Sequence, residues 1–184
     1  MKKKRARGGE ILILLGLVLL FASGRLYIRQ KLHVKKERVQ TCGAVLQDLQ
    51  KSLPAQTTAS ADSLLSDPDG LPVLEVKGFD CIGKIEIPEA GLSFPVGSRF
   101  LTGEKAVIPM VLSVGENGSC KIGMVSTDTG SVRDGDEVIF TDVRGRVCRY
   151  VADLVTDDEK KADGKLVIAF SGGLQTTYVS CIVE

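Results

Sequence analysis

Histidine is almost absent from this chain. The only one among 184 residues is His33, so no imidazole exists from Val34 to Glu184. A folded domain in that stretch has no histidine for proton transfer, the side chain most often used for that work. Cysteine is present, but its metal-binding spacing is missing. Cys42, Cys81, Cys120, Cys148 and Cys181 include no C-x-x-C pair. A zinc site is therefore not expected, and no metal or cofactor is called for. The count is odd, so at least one thiol stays unpaired within a monomer. Four of the five sit in strand-like apolar runs, where a buried, inert thiol is the ordinary outcome. A disulfide between strands is the alternative, and spacing does not choose the pair. A net excess of charge is missing too, with 24 Lys+Arg against 23 Asp+Glu. From Pro54 onward there is no dense basic run, so nucleic acid is not an expected partner.

Basic charge and apolar length are instead concentrated at the start. "MKKKRARGG" carries five basic residues, and Arg25 to Arg38 carries six more. Between them "ILILLGLVLLFASG" runs uncharged from Ile11 to Gly24. This is shorter than the about 17–25 residues of a usual span, but a snorkelling Arg25 and the following "LYI" extend it. The reading is a basic cytoplasmic tail over 1–10 and a membrane anchor over 11–25. A signal peptide cleaved near "ASG" is the rival. In either case the remainder lies outside the cytosol. Basic residues on both flanks leave the orientation open on charge alone.

Residues 26–53 read as an amphipathic juxtamembrane helix, with Val39, Cys42, Leu46, Leu49 and Leu53 at 3-4-3-4 spacing. "SLPAQTTASADSLLSDPDGLP" then offers little apolar surface, and a flexible linker over 54–70 is expected. From Leu71 the pattern changes to short β-rich runs: "VLEVK", "CIGKIEIP", "GLSFPV", "AVIPMVLS", "CKIGMVS", "EVIFTD", "RVCRYVADLV", "KLVIAF" and "TTYVSCIVE". Their Val, Ile, Phe and Tyr content suits a pleated, half-buried surface. "GEN", "DGD", "RGR" and "SGG" punctuate them as turns. No long helical period follows Leu53. Residues 71–184 therefore predict an all-β domain, a barrel or a sandwich. Pro88, Pro95 and Pro109 are expected at bulges, bends or edges.

"DCIGKIEIPEAGLSFPVG" resembles the entry to a sortase domain, whose first strand reads I-G-x-(I/L)-x-I-P ahead of a G-(L/V)-x-x-P-V segment. Ile82, Gly83, Ile85, Ile87, Pro88, Gly91, Leu92, Pro95 and Val96 fill those places. "RDGDEVIFTDVRGRVCRYVADLV" resembles the G-D-x-V-x-(F/Y)-T-D strand of that family and the hairpin after it. The closing "KLVIAFSGGLQTTYVSCIVE" is similar to its last two strands. The resemblance spans roughly Val73 to Glu184. It implies a closed β-barrel of about eight strands, preceded here by the membrane helix and the amphipathic helix. It also implies a membrane-anchored transpeptidase of Gram-positive surfaces, with its N-terminus cytoplasmic and its β domain extracellular.

The resemblance stops at the chemistry. Sortases use a cysteine nucleophile, a histidine and an arginine, which meet the general needs of acyl transfer: an ionised thiol, a proton carrier and a donor to the oxyanion. The cysteine's place at the end of the penultimate strand holds Ser171, and the arginine's place on the last strand holds Tyr178. The histidine's place falls near Ser126 or Thr127, and only "SVR" lies between "MVSTDTG" and "DGDEV", where active relatives carry a longer segment. These substitutions imply a degenerate, non-catalytic domain that binds or scaffolds at the cell envelope. Partners implied by the family are surface-protein sorting signals, pilin-like subunits or an active sortase, with the membrane contacted through 11–25. Two further readings stand beside it. One is an active transpeptidase with an altered nucleophile: Ser171 with a base among Lys121, Asp128, Arg133 and Asp134, or else Cys120. The other is a generic interaction module of an envelope complex.

Overall fold

The computed structural model describes residues 4–59, 70–98, 107–115, 119–124, 132–172 and 175–184. The chain falls into two units, Met1–Gln40 and Thr41–Glu184. One helix, α1 (Lys4–Ser52), runs through the boundary at 25/26 where an anchor was expected to give way to a second helix. No proline interrupts it, and a glycine such as Gly24 costs a helix only about 1 kcal/mol, too little to break one of this length. The described apolar side chains from Ile13 to Phe21 are exposed. Among the described residues no helix is long and apolar enough to cross a membrane.

The end of α1 belongs to the second unit and packs against its strands. Val45 and Leu49 are fully buried with Val76, Cys81 and Ile108, and Cys42 and Leu53 pack against the same cluster. The buried stripe is thus Cys42, Val45, Leu49 and Leu53. It is rotated from the expected one, since Val39 is exposed and Leu46 only half-buried. Spacing alone accepted either face; the contact with the sheet selected one. Asp48 on this last stretch also pairs with Lys77 in the following β-turn at 3.2 Å.

The linker expected from residue 54 begins as structure. Thr57–Thr58 forms β1, whose residues pair in parallel with Arg146 and Val147. The amides of Thr57 and Ala59 donate to the carbonyls of Gly145 (2.8 Å) and Val147 (2.9 Å). Two β-branched residues beside an unpaired strand end were enough to order this stretch; the rest of the expected linker, 60–69, lies outside the described residues. The other strands are β2 (Leu74–Val76), β3 (Phe79–Ile87), β4 (Leu92–Gly97), β5 (Met110–Val114), β6 (Cys120–Met124), β7 (Glu137–Asp142), β8 (Arg146–Thr156), β9 (Leu166–Gly172) and β10 (Gln175–Val183). Each falls within or beside one of the nine runs expected from sequence.

Hydrogen bonding closes eight of these strands into a ring, in the order β3-β4-β5-β6-β9-β10-β8-β7 and back to β3. The expected barrel, rather than a sandwich, is the outcome. Closure removes free edges, and β7 completes it by pairing antiparallel with both β3 and β8. The weakest join is between β4 and β5, a single parallel pair of Gly97 with Met110. Two of the three prolines explain this. Pro95 sits in β4 and cannot donate toward β5, and Pro109, which precedes β5, has no amide to donate and accepts from the Gly97 amide at 2.7 Å.

Alternate residues of the ring fill its interior. Ile82, Ile85, Phe140, Tyr150, Ile168 and Phe170 belong to one buried cluster, and Phe94 meets Phe170 edge-on at 6.4 Å between ring centres. The entry and middle motifs have structural tasks here. A Cβ at Gly83 would collide with the carbonyl oxygen of Thr141, so the β3–β7 approach that closes the barrel requires glycine. Asp142, fully buried at the end of "IFTD", accepts from the amides of Arg144 (2.9 Å) and Arg146 (2.8 Å) and from Arg146 Nε (2.7 Å). It thereby shapes the turn from β7 to β8.

Candidate functional site

Strand β9 lies between β6, parallel to it, and β10, antiparallel to it. Leu166, Ile168 and Phe170 of β9 point into the core, as do Cys120 and Ile122 of β6 and Val179 and Cys181 of β10. The alternation sends Lys121, Val167, Ala169, Ser171, Thr176 and Tyr178 to the outer face. Ser171 and Tyr178 therefore share one face, but they are not cross-strand partners. Ser171 pairs with Thr176, and Tyr178 pairs with Ala169, two residues away along β9.

Ser171 still belongs to the strand rather than to the turn that follows. Its hydroxyl lies 3.4 Å from that of Thr176, an exposed contact between two alcohols in which either atom donates. No amine or carboxylate is within hydrogen-bond reach of it among the described residues. Two of the bases considered for it, Asp134 and Lys121, are engaged elsewhere. Asp134 accepts from the Val155 amide at 2.9 Å. Lys121 is held by Glu159. An unassisted serine hydroxyl is a weak nucleophile, and the described residues place no base beside this one. Ser126, Thr127 and Asp128 lie outside the described residues.

Cys120 is no substitute. It is fully buried in the barrel, and burial pushes its thiol up to about 12. The same cause raises the other thiols, to about 12 for Cys81 and Cys181 and about 11 for Cys42 and Cys148. At neutral pH such groups are protonated, and a protonated thiol neither attacks carbonyls nor binds metals well. All five cysteines are free, in keeping with the expectation of inert core thiols. Among the described residues no group of His, Cys, Asp and Glu is arranged to hold a metal ion.

The polar chemistry of this face is centred on Tyr178. Its hydroxyl donates to Glu159 Oε2 at 3.3 Å, while Lys121 Nζ binds Oε1 of the same carboxylate. The Lys121 ammonium also lies 4.8 Å from the centre of the Tyr178 ring, a cation–π distance. Lys121 and Tyr178 come from the strands on either side of β9, so their side chains meet above it. Val167 and Ala169 beneath are only 6% and 3% exposed although they point outward. Glu159 itself begins a single 3-10 turn, Glu159–Lys161, in the connection from β8 to β9. The hydrogen bond and charge of Lys121, then the Tyr178 hydroxyl, hold its carboxyl below the usual value. Sequence reasoning missed Glu159. It sits in the charge run "DDEKK", which has the composition of any solvated loop, and only the path of that connection brings it to Tyr178.

No protein-family model matches this chain, and no curated protein matches it. Solved structures similar to this chain include sortases. A sortase D5 transpeptidase from Clostridium perfringens is 13% identical at a TM-score of 0.47, with 83% of this chain and 99% of that one covered. A sortase C from the same species is 16% identical at a TM-score of 0.43, covering 80% of this chain and 87% of the other. A sortase E variant from Streptomyces avermitilis is 18% identical at 0.43, covering 56% and 87%. Likeness at these identities concerns the fold and assigns no residue a role.

Proposed function

We propose that this chain is a catalytically silent sortase-like domain, held at the membrane of a Gram-positive cell by its N-terminal segment and used to bind or scaffold other envelope proteins. The observation that carries the reading is the partner of Ser171. Among the described residues, the side chain in the nucleophile's place has another hydroxyl as its hydrogen-bond partner, and the residue in the arginine's place is a phenol bonded to Glu159. A transfer reaction needs an activated nucleophile and a proton carrier, and the described face offers neither. The basic flanks of Ile11–Gly24 support the anchor. What is kept is a barrel whose outer face presents donors on rigid strands, which suits binding.

The test uses the full chain in detergent with synthetic sorting-signal peptides and an amine acceptor. The expected result is peptide binding without cleavage or transpeptidation. Turnover that disappears in Ser171→Ala would overturn the proposal. Binding partners of the class suggested by the resemblance are surface-protein tails, pilin-like subunits or an active sortase, and cross-linking in the native envelope distinguishes them.

A further inference from the structure

The Glu159 carboxylate is bound as a ligand would be. Each of its oxygens receives one donor, Lys121 Nζ on Oε1 and the Tyr178 hydroxyl on Oε2. The two donors stand on β6 and β10, in register with Val167 and Ala169 of the strand between them. They are fixed by barrel hydrogen bonds, and the ammonium is held in place over the phenol ring. Lys121's side chain is only 22% exposed, whereas that of Glu159 is 64% exposed and sits on a three-residue turn with no buried residue. The acceptor is thus the loosely held member and the donors the preformed one. Two convergent donors that match the two oxygens of a carboxylate, on a rigid support, constitute a site for that group.

We propose that Lys121 and Tyr178 form a carboxylate-binding site on the outer face of β9, occupied in this structure by Glu159 and open in trans to a carboxylate-bearing peptide that displaces it. This deepens the binding role proposed above by naming the chemistry of the ligand, and rests on that role only in taking the outer face as the binding surface. Glu159 acts as an internal competitor. A tethered group of this kind competes at an effective concentration of about millimolar, so wild-type protein binds such peptides weakly, and releasing the turn strengthens binding. Carboxylates at a peptide C-terminus and on an acidic side chain share this chemistry.

The experiment compares full-length wild type, Glu159→Gln and Glu159→Gln/Lys121→Met in detergent. Fluorescence polarisation follows three labelled hexapeptides of otherwise neutral sequence: one with a free C-terminus, one amidated with an internal Glu, and one amidated without charge. Glu159→Gln is expected to bind one or both carboxylate peptides at least about tenfold more tightly than wild type, and the double variant to lose the gain. The preferred peptide identifies the source of the carboxylate. Equal gain for the neutral peptide, or no gain for either acidic one, would overturn this inference. Sorting-signal peptides that still bind wild type would then leave the broader binding role standing, whereas failure of every peptide on every variant would remove both. Circular dichroism of each variant confirms the barrel is intact, and Tyr178→Phe in the Glu159→Gln background, which keeps the ring but removes one donor, is expected to lose part of the gain.

Discussion

The Lys121 ammonium lies 4.8 Å from the centre of the Tyr178 ring, with β9 running between the strands that carry them. The contact bridges the outer face above Val167 and Ala169. The phenol supplies a neutral donor and a π-face but no charge, and the positive charge beside β9 is that of Lys121 on β6.

Placing a thiol and a guanidinium on the outer face is not expected to create transpeptidase chemistry. Ser171→Cys with Tyr178→Arg supplies the thiol and the guanidinium but no proton carrier, because no histidine follows His33. Such a protein should show no transpeptidation of sorting-signal peptides by mass spectrometry. Turnover by this double variant would mean that another residue serves as base.

Gly83→Ala should destabilise the barrel without touching the outer face. The added methyl meets a backbone carbonyl, that of Thr141, rather than a flexible side chain, so β3 and β7 must separate. Overpacking of this kind costs about 1–3 kcal/mol, to be read as a lowered urea midpoint.

Asp142→Ala should cost a similar amount by another route. It removes the acceptor of two backbone amides and of Arg146 Nε. Loss of hydrogen bonds that leaves buried partners unmet costs about 1–3 kcal/mol. Glu159→Ala, by contrast, removes exposed contacts and should leave the urea midpoint nearly unchanged.

Alkaline pH should weaken the fold through the core thiols. Burial raises Cys120 and Cys181 from the ordinary thiol value of 9.0 to about 12. The unfolded chain therefore loses these protons first as pH rises. Their contribution is fully present below about pH 9 and is lost as pH climbs toward 12. The urea midpoint should fall across that window, and fall less steeply in Cys120→Ala than in wild type, each measured against its own value at pH 8.

Leu49→Ala should cost about 2–5 kcal/mol, since the side chain is fully buried between the end of α1 and the strands. Leu46→Glu, at a half-buried position, should cost less. Equal effects in thermal melts would mean that the helix packs through the face its spacing first suggested.

Local chemistry wrote much of this protein legibly. β-Branched and aromatic runs between glycine-rich turns marked nine of the ten strands, because strand propensity and turn geometry are properties of a few adjacent residues. Pro95 and Pro109 were legible as interruptions of strands by the donors they lack, but that they thin the join of β4 with β5 emerged only from the fold. The absence of histidine after His33 is likewise complete in the sequence. Contacts between distant segments were another matter. β1 formed because β8 offered an unpaired end, Val45 rather than Leu46 was buried because a sheet lay on that side, and Glu159 met Lys121 and Tyr178 because the β8–β9 connection folds back over the outer face. Composition decides what each short stretch can form and which reagents are missing; only the closed ring of strands decides which side chains meet, because burial and ion pairing depend on neighbours that are remote along the chain.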